Sequence, residues 1–179
     1  MKLKLSLLLL AASIGVWGCS KDDETEDDVL ANVTTVVINE VMAQNSVTAA
    51  DQDGEYDDWI ELYNTTNAAI DLSGYYLSDT KNNTIKWSFP TGTSIDAKGY
   101  LIVWADKNDL QTGLHANFKL AAEGEVVVLT NPDQEIMDQI TYEAQTEELS
   151  FARIHDGTGS FAWQTPTFEK TNGTNSTAK

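Results

Sequence analysis

The sequence predicts an all-β sandwich, and three observations predict it. Runs rich in Val, Ile, Thr, Tyr and Trp recur between Val33 and Gln164, and such residues suit a pleated, half-buried surface. Clusters of Gly, Pro, Asn and Asp separate these runs at intervals of roughly 8–12 residues, the spacing of turns in a sandwich. No long stretch carries the apolar period of about 3.6 residues that an amphipathic helix requires.

Taken in order, Val33–Val41 (VTTVVINEV) is β-branched and free of Gly and Pro, so it reads as a strand with a doubly buried middle. Asn39 and Glu40 sit towards its end, and a connection runs to Ala50. In the strand Asp58–Asn64, Ile60 and Leu62 point one way and Trp59, Glu61 and Tyr63 the other, because strand side chains alternate. Ile70–Leu72 is a short strand stopped by Ser73-Gly74. Tyr75–Asp79 and Ile85–Phe89 flank a turn at Lys81-Asn82-Asn83, where Asn tolerates positive φ. Pro90 ends the second of these, since proline offers the ladder no donor.

A loop around Ile95 leads to Gly99–Asp106, the most apolar strand. Phe118–Ala121 reads as a short strand, followed by strands at Gly124–Thr130, Glu135–Tyr142 and Leu149–Ile154, with an addition at Phe161–Gln164. Alternation places Ile60, Leu62, Leu101, Val103, Val126 and Val128 inward. The expected segments are therefore a leader at 1–18, a tether at 19–32, the sandwich at 33–165 and a polar, flexible tail at 166–179.

The stretch around which the rest is organised is Asp51–Asn64, DQDGEYDDWIELYN, an acidic loop running into a strand. With NEV before it and DLSGYYLSD and KWSFPTGTSIDAKGYLIVWAD after it, the ordered blocks resemble the lamin tail domain in its bacterial form, over roughly Val36 to Trp163. The resemblance implies an immunoglobulin-like β-sandwich with a binding or anchoring role. The chain departs from the family at its C-terminal end, where Pro166 is followed by Thr167-Phe168 and not by Thr-Pro-Gly.

The net charge of −17 sets this surface against nucleic-acid phosphates and anionic headgroups and lets it tolerate cations and basic partners. Keeping an exported protein soluble is the competing and simpler reading of the charge. At the N-terminus, Lys2 and Lys4 precede the apolar run Leu5–Val16, too short for the roughly 20 residues of a spanning helix, so it reads as a signal peptide. It ends Val16-Trp17-Gly18-Cys19, which resembles the bacterial lipobox, with Trp17 where a small residue is usual. Cys19, the one cysteine, is then the acylated N-terminus, and two or three acyl chains anchor a protein stably. A secretory leader followed by a free thiol is the competing reading. The next residues, SKDDETEDD, form an extended acidic tether and resemble the surface-export signal of Bacteroidetes lipoproteins. The expected address is the outer membrane, with the domain exposed at the cell surface.

For chemistry, Asp51, Asp53, Glu55, Asp57 and Asp58 supply hard oxygen donors of the kind calcium takes, and Gly54 permits a sharp turn. The spacing is not that of an EF-hand, and a solvated acidic turn that resists edge pairing is the alternative. Glu61, between Trp59 and Tyr63, is either a carboxyl of raised pKa able to act as a general acid or a strand residue that pairs with a neighbouring strand's Lys or accepts backbone donors. His115 and His155 lack metal-ligand spacing and read as surface or loop-packing residues. Among Trp59, Trp87, Trp104 and Trp163, one or two exposed on a face would make a protein or glycan platform, with Trp163 the candidate; otherwise they are core and inter-sheet packing residues, as expected of Trp87 and Trp104. Function reads as a non-catalytic binding, adhesion or scaffolding module held to the membrane through Cys19, with a protein or glycan partner. The alternative is a metal-dependent hydrolase, or an accessory subunit of one, that uses loop 51–58.

Overall fold

In the computed structural model, residues 35–173 are described, apart from 109. The chain divides between Asn32 and Val33, and the described residues all fall in the second unit, Val33–Lys179. The leader, Cys19 and the acidic tether all fall in the first, outside the described residues.

The second unit is all-β. Its strands are β1 (Val36–Met42), β2 (Trp59–Asn64), β3 (Ile70–Asp71), β4 (Tyr76–Ser78), β5 (Trp87–Ser88) and β6 (Ser94–Ile95). After them come β7 (Tyr100–Trp104), β8 (Val126–Thr130), β9 (Ile136–Thr141), β10 (Ser150–His155) and β11 (Thr158–Gln164). One sheet has the order β11-β10-β1-β2-β7 and a second β5-β4-β8-β9, with β3 and β6 forming a two-stranded ribbon. Apart from the boundaries, two elements differ from the sequence reading. The loop at Ile95 is a strand, because Ile95 pairs with Ile70. Phe118–Ala121 is no strand: Lys119 makes only an isolated bridge to Asp106.

The two sheets close on a common apolar core. Ile38, Val41, Ile60, Leu62 and Val103 from the first sheet meet Leu77, Val127, Leu129 and Ile140 from the second. Ile60 and Leu62 are fully buried there, as alternation predicts, and Leu101 packs partly against the same cluster. The facing of β8 is the reverse of the expectation: Val127 and Leu129, not Val126 and Val128, join this core. Four apolar residues in a row give no alternation to read, and the register opposite Ile140 decides the face.

Gly124, just before β8, sets how the strand enters. Its φ is +103°, and a Cβ there would lie 2.6 Å from the Tyr142 carbonyl oxygen. Neither the backbone conformation nor the space suits an L side chain. Gly124→Ala is therefore expected to cost more than about 1 kcal/mol, read from urea denaturation midpoints; an unchanged midpoint would refute this account of the turn.

β1 carries a bulge. The register passes from Ile38↔Leu62 to Glu40↔Glu61, leaving Asn39 as the extra residue. The bulge keeps both Ile38 and Val41 facing the core. It also frees the Ile38 peptide from the ladder on the β10 side. Its N–H donates to Asp138 Oδ2 at 2.9 Å and its carbonyl accepts from Arg153 Nε at 2.8 Å. Arg153 also pairs with Asp138, so one ion pair closes the gap between the sheets.

The opposite face of the first sheet is buried as well. Met42, Trp59 and Trp104 form a smaller apolar cluster, packed by Ile102 and Phe168. Phe168 comes from residues 166–173, which the sequence places in a flexible tail. In the structure this segment runs back over the sheet as a strap, and Asn172 is 3% exposed. Its composition is polar, but its polar groups are directed at buried carboxylates and its one aromatic ring at two tryptophans.

Candidate functional site: a carboxylate cluster under a C-terminal strap

The bulge in β1 turns Asn39 and Glu40 towards the outer face, beside their neighbour Glu61 on β2. Two glutamates on paired strands are thereby buried together, both with no exposed surface. Asn39 organises the space between them and the β10–β11 turn. Its Nδ2 donates to Glu61 Oε1 at 2.9 Å and to Asp156 Oδ1 at 3.2 Å, and its Oδ1 accepts from the Gly157 amide at 3.0 Å. The Tyr100 hydroxyl donates to Asp156 Oδ2 at 2.7 Å.

The strap supplies further donors. The Thr167 amide donates to Glu40 Oε1 at 2.9 Å, and its hydroxyl donates to the other Glu40 oxygen. The Glu169 amide donates to Glu61 Oε2 at 2.6 Å and the Asn172 amide to Asp156 Oδ1 at 3.0 Å. Phe168 and Glu169 both adopt positive φ, 34° and 58°, which turns the backbone between these contacts. Three carboxyls, two from paired strands and one from the β10–β11 turn, thus hold three amides of one segment.

Burial dominates the electrostatics. It pushes the Glu61 carboxyl up to about 8; the hydrogen bond from Asn39 opposes this, and the neighbouring Glu40 adds to it. Glu40 is raised as well, by burial, against hydrogen bonds from Ser150 and Thr167. Such a carboxyl has the proton affinity of a general acid, but it needs access to a substrate. Two clefts on the surface, of about 330 Å³ and 160 Å³, lie beside Gly113 and Leu114, and neither is lined by Glu40 or Glu61. The glutamates bind the chain's own backbone, as the second reading of Glu61 has it.

The acidic loop is put together differently. Asp51 folds it: Oδ1 accepts from the Asp53 and Glu55 amides at 2.9 and 2.8 Å, and Oδ2 accepts from Gln111 Nε2 at 2.8 Å. Asp53 Oδ2 accepts from the Thr112 amide, and Glu55 is exposed, with one oxygen near Gln111. Asp58 Oδ1 faces the Asn45 amide at 3.4 Å, and burial raises its carboxyl to about 6. Asp57 is raised too, by burial and then by Asp106 and Asp51. The calcium expectation put these five carboxyls round one ion. Among the described residues no three acidic, histidine or cysteine side chains are grouped so as to hold a metal ion. Asp51, Asp53, Glu55 and Asp58 hydrogen-bond to local amides and Gln111, while Asp57 Oδ2 is buried with no hydrogen-bond partner among the described residues. Cys19 lies outside the described residues.

His115 is buried, with Nδ1 3.1 Å from Asp106 Oδ2, and fixes the segment beside β7; His155 is exposed. Trp163 is half-buried against Phe151, and Trp87 packs edge-on to Phe89. None of the four tryptophans is exposed: Trp59 and Trp104 are buried, and Trp87 and Trp163 are half-buried.

The family model described as Lamin Tail Domain matches residues 31–144. The chain belongs to the lamin tail domain family. The two-sheet architecture is accordingly the immunoglobulin-like sandwich of that family, and as a lamin tail domain the chain is a module of binding or scaffolding type. None of the curated proteins matches it. The match ends at residue 144, so β10, β11 and the strap lie beyond it. Sequence reasoning missed Glu40, Asp156 and the strap. The available signal was the polar pair Asn39-Glu40 inside an otherwise β-branched run.

Proposed function

We propose that this lamin tail domain is a lipid-anchored, surface-exposed binding or scaffolding module without catalysis of its own. One observation carries the non-catalytic part. Glu40 and Glu61 are closed over by the domain's own strap, Asp58 is raised to about 6 but faces the Asn45 amide, and none of the three lines either cleft. Catalysis would need a titratable group, a partner and a substrate position within hydrogen-bond reach of one another. The lipid attachment is supported by Val16–Cys19 and by the acidic stretch behind it, which would hold the domain off the membrane.

Cys19→Ala tests the anchoring. Acyl chains would be the strong apolar attachment, so the variant should move from the membrane fraction to the soluble fraction on cell fractionation, with the domain still folded. Membrane partition equal to that of the parent would sink the lipoprotein reading.

A further inference from the structure

β7 is the edge strand of the five-stranded sheet. The Trp104 amide points away from β2, donating to the Leu114 carbonyl at 2.8 Å, while the Gly99 carbonyl points towards β2, accepting from Asn64. Peptide directions alternate along a strand. The N–H and C=O groups of Tyr100 and Ile102 therefore also point outward, and among the described residues nothing pairs with them. The same edge is already occupied further on, where His115 bridges Trp104 in the parallel sense and the Ala116 amide donates to the Trp104 carbonyl. The chain leaves the edge at Gly113, whose φ is +118°. Beside the open part lies the cleft of about 330 Å³, walled by Leu101, Ile102, Trp104 and Phe168 and bearing Asp51 and Glu169, with no cationic residue in its lining.

We propose that this edge takes up a short extended segment of a partner protein, with apolar and Lys or Arg residues alternating. The backbone of Tyr100 and Ile102 would supply the ladder, as in strand addition. The cleft would take the apolar side chains, and Asp51, Glu169 and the net charge of −17 would select the basic ones. The same charge opposes pairing with a second copy of this chain. The inference rests on the binding-module reading and names the partner for it.

The test uses the full chain in detergent and a capped Lys-Val-Lys-Val-Lys-Val peptide at low salt, with binding measured by calorimetry. Two relatives of the peptide carry N-methyl groups on alternate residues, one set on each edge. The parent peptide should bind, one methylated form should lose up to about tenfold in affinity, the scale of a hydrogen bond or two, and the other should lose little. Glu169→Lys should weaken binding several-fold without unfolding, because the Glu169 contact to Glu61 is made by the backbone amide. A Glu-Val peptide should not bind. Equal affinity of both methylated forms would overturn the edge site and leave a charge-driven binding module standing. No binding of the Lys-Val peptide, or a dimer of the chain that the peptide does not dissociate, would overturn the proposal outright, and anchoring through Cys19 would still be tested separately by fractionation.

Discussion

Trp59→Ala should destabilise the domain by about 3–5 kcal/mol, the range for deleting a large buried aromatic side chain. Trp59 has no exposed surface although it sits on the face of the sheet away from the main core. What covers it is the strap. The Phe168 ring meets the indole edge-on, 5.3 Å between centroids, and also lies 5.7 Å from Trp104. Removing the indole leaves a void between sheet and strap, and a void there forfeits dispersion contacts on both sides. The strap has no strand ladder of its own, so it should yield first. Hydrogen exchange at the Glu169 and Asn172 amides should accelerate more than at β8 or β9. Trp59→Phe should restore much of the loss, because the indole Nε1 has no hydrogen-bond partner to forfeit. Chemical denaturation reads both variants. A loss under about 1 kcal/mol for Trp59→Ala, the scale of an ordinary substitution, would mean that the strap does not seal this face.

The contrast between the two carboxylate groups explains what could be read from the sequence. Strands announce themselves locally, through β-branched runs and turn residues, so most of them and the faces of β2 were legible. The face of β8 was not, because Val126–Leu129 lacks alternation and only pairing with β9 decides it. The acidic loop 51–58 is dense in sequence, yet its side chains serve local amides, Gln111 and Thr112. Glu40, Glu61 and Asp156 are far apart in sequence and converge in space. Their meeting depends on a bulge at Asn39, on the turn between β10 and β11, and on residues 167–172 returning across the sheet. The polar pair Asn39-Glu40 and the Asp156-Gly157 dipeptide, a hairpin-turn signal, are visible locally, but neither says what it meets in space. The strap in particular has the composition of a free tail. What orders it is a set of long-range hydrogen bonds from its amides, to which composition is blind.

Stability should fall as the pH rises from about 5 to about 8, and Glu61 should account for most of the fall. Its carboxyl titrates near 4.5 when unfolded and is pushed up to about 8 in the fold. A group that holds its proton more tightly when folded contributes stability that is fully present below the unfolded value and lost as the pH climbs through the folded one. Glu40 acts in the same direction, and so does Asp58, at about 6. Asp71 and Glu148 are lowered and act the other way, but both lie at the surface, where solvent screens them. Each tenfold in proton affinity is worth about 1.4 kcal/mol, so the fall across the window should be on the order of a few kcal/mol. Around Glu61 stand Glu40 and Asp156, both acidic, with Asn39 and the Glu169 amide as donors and, among the described residues, no Lys or Arg bonded to it. An ionised Glu61 gains most by reaching water, and the cover that separates it from water is the strap. Opening of residues 166–173 should therefore precede global unfolding, with exchange at the Glu169 and Asn172 amides rising more steeply above pH 7 than base catalysis alone requires. Glu61→Gln cannot ionise, but it keeps an acceptor for only one of the two donors, since Asn39 and the Glu169 amide bond different oxygens of Glu61. It should flatten the stability profile between pH 6 and pH 8, at a cost in stability that does not vary with pH across that range. Denaturation midpoints across this range decide the matter: parallel profiles for parent and variant would show that Glu61 does not hold its proton in the folded domain.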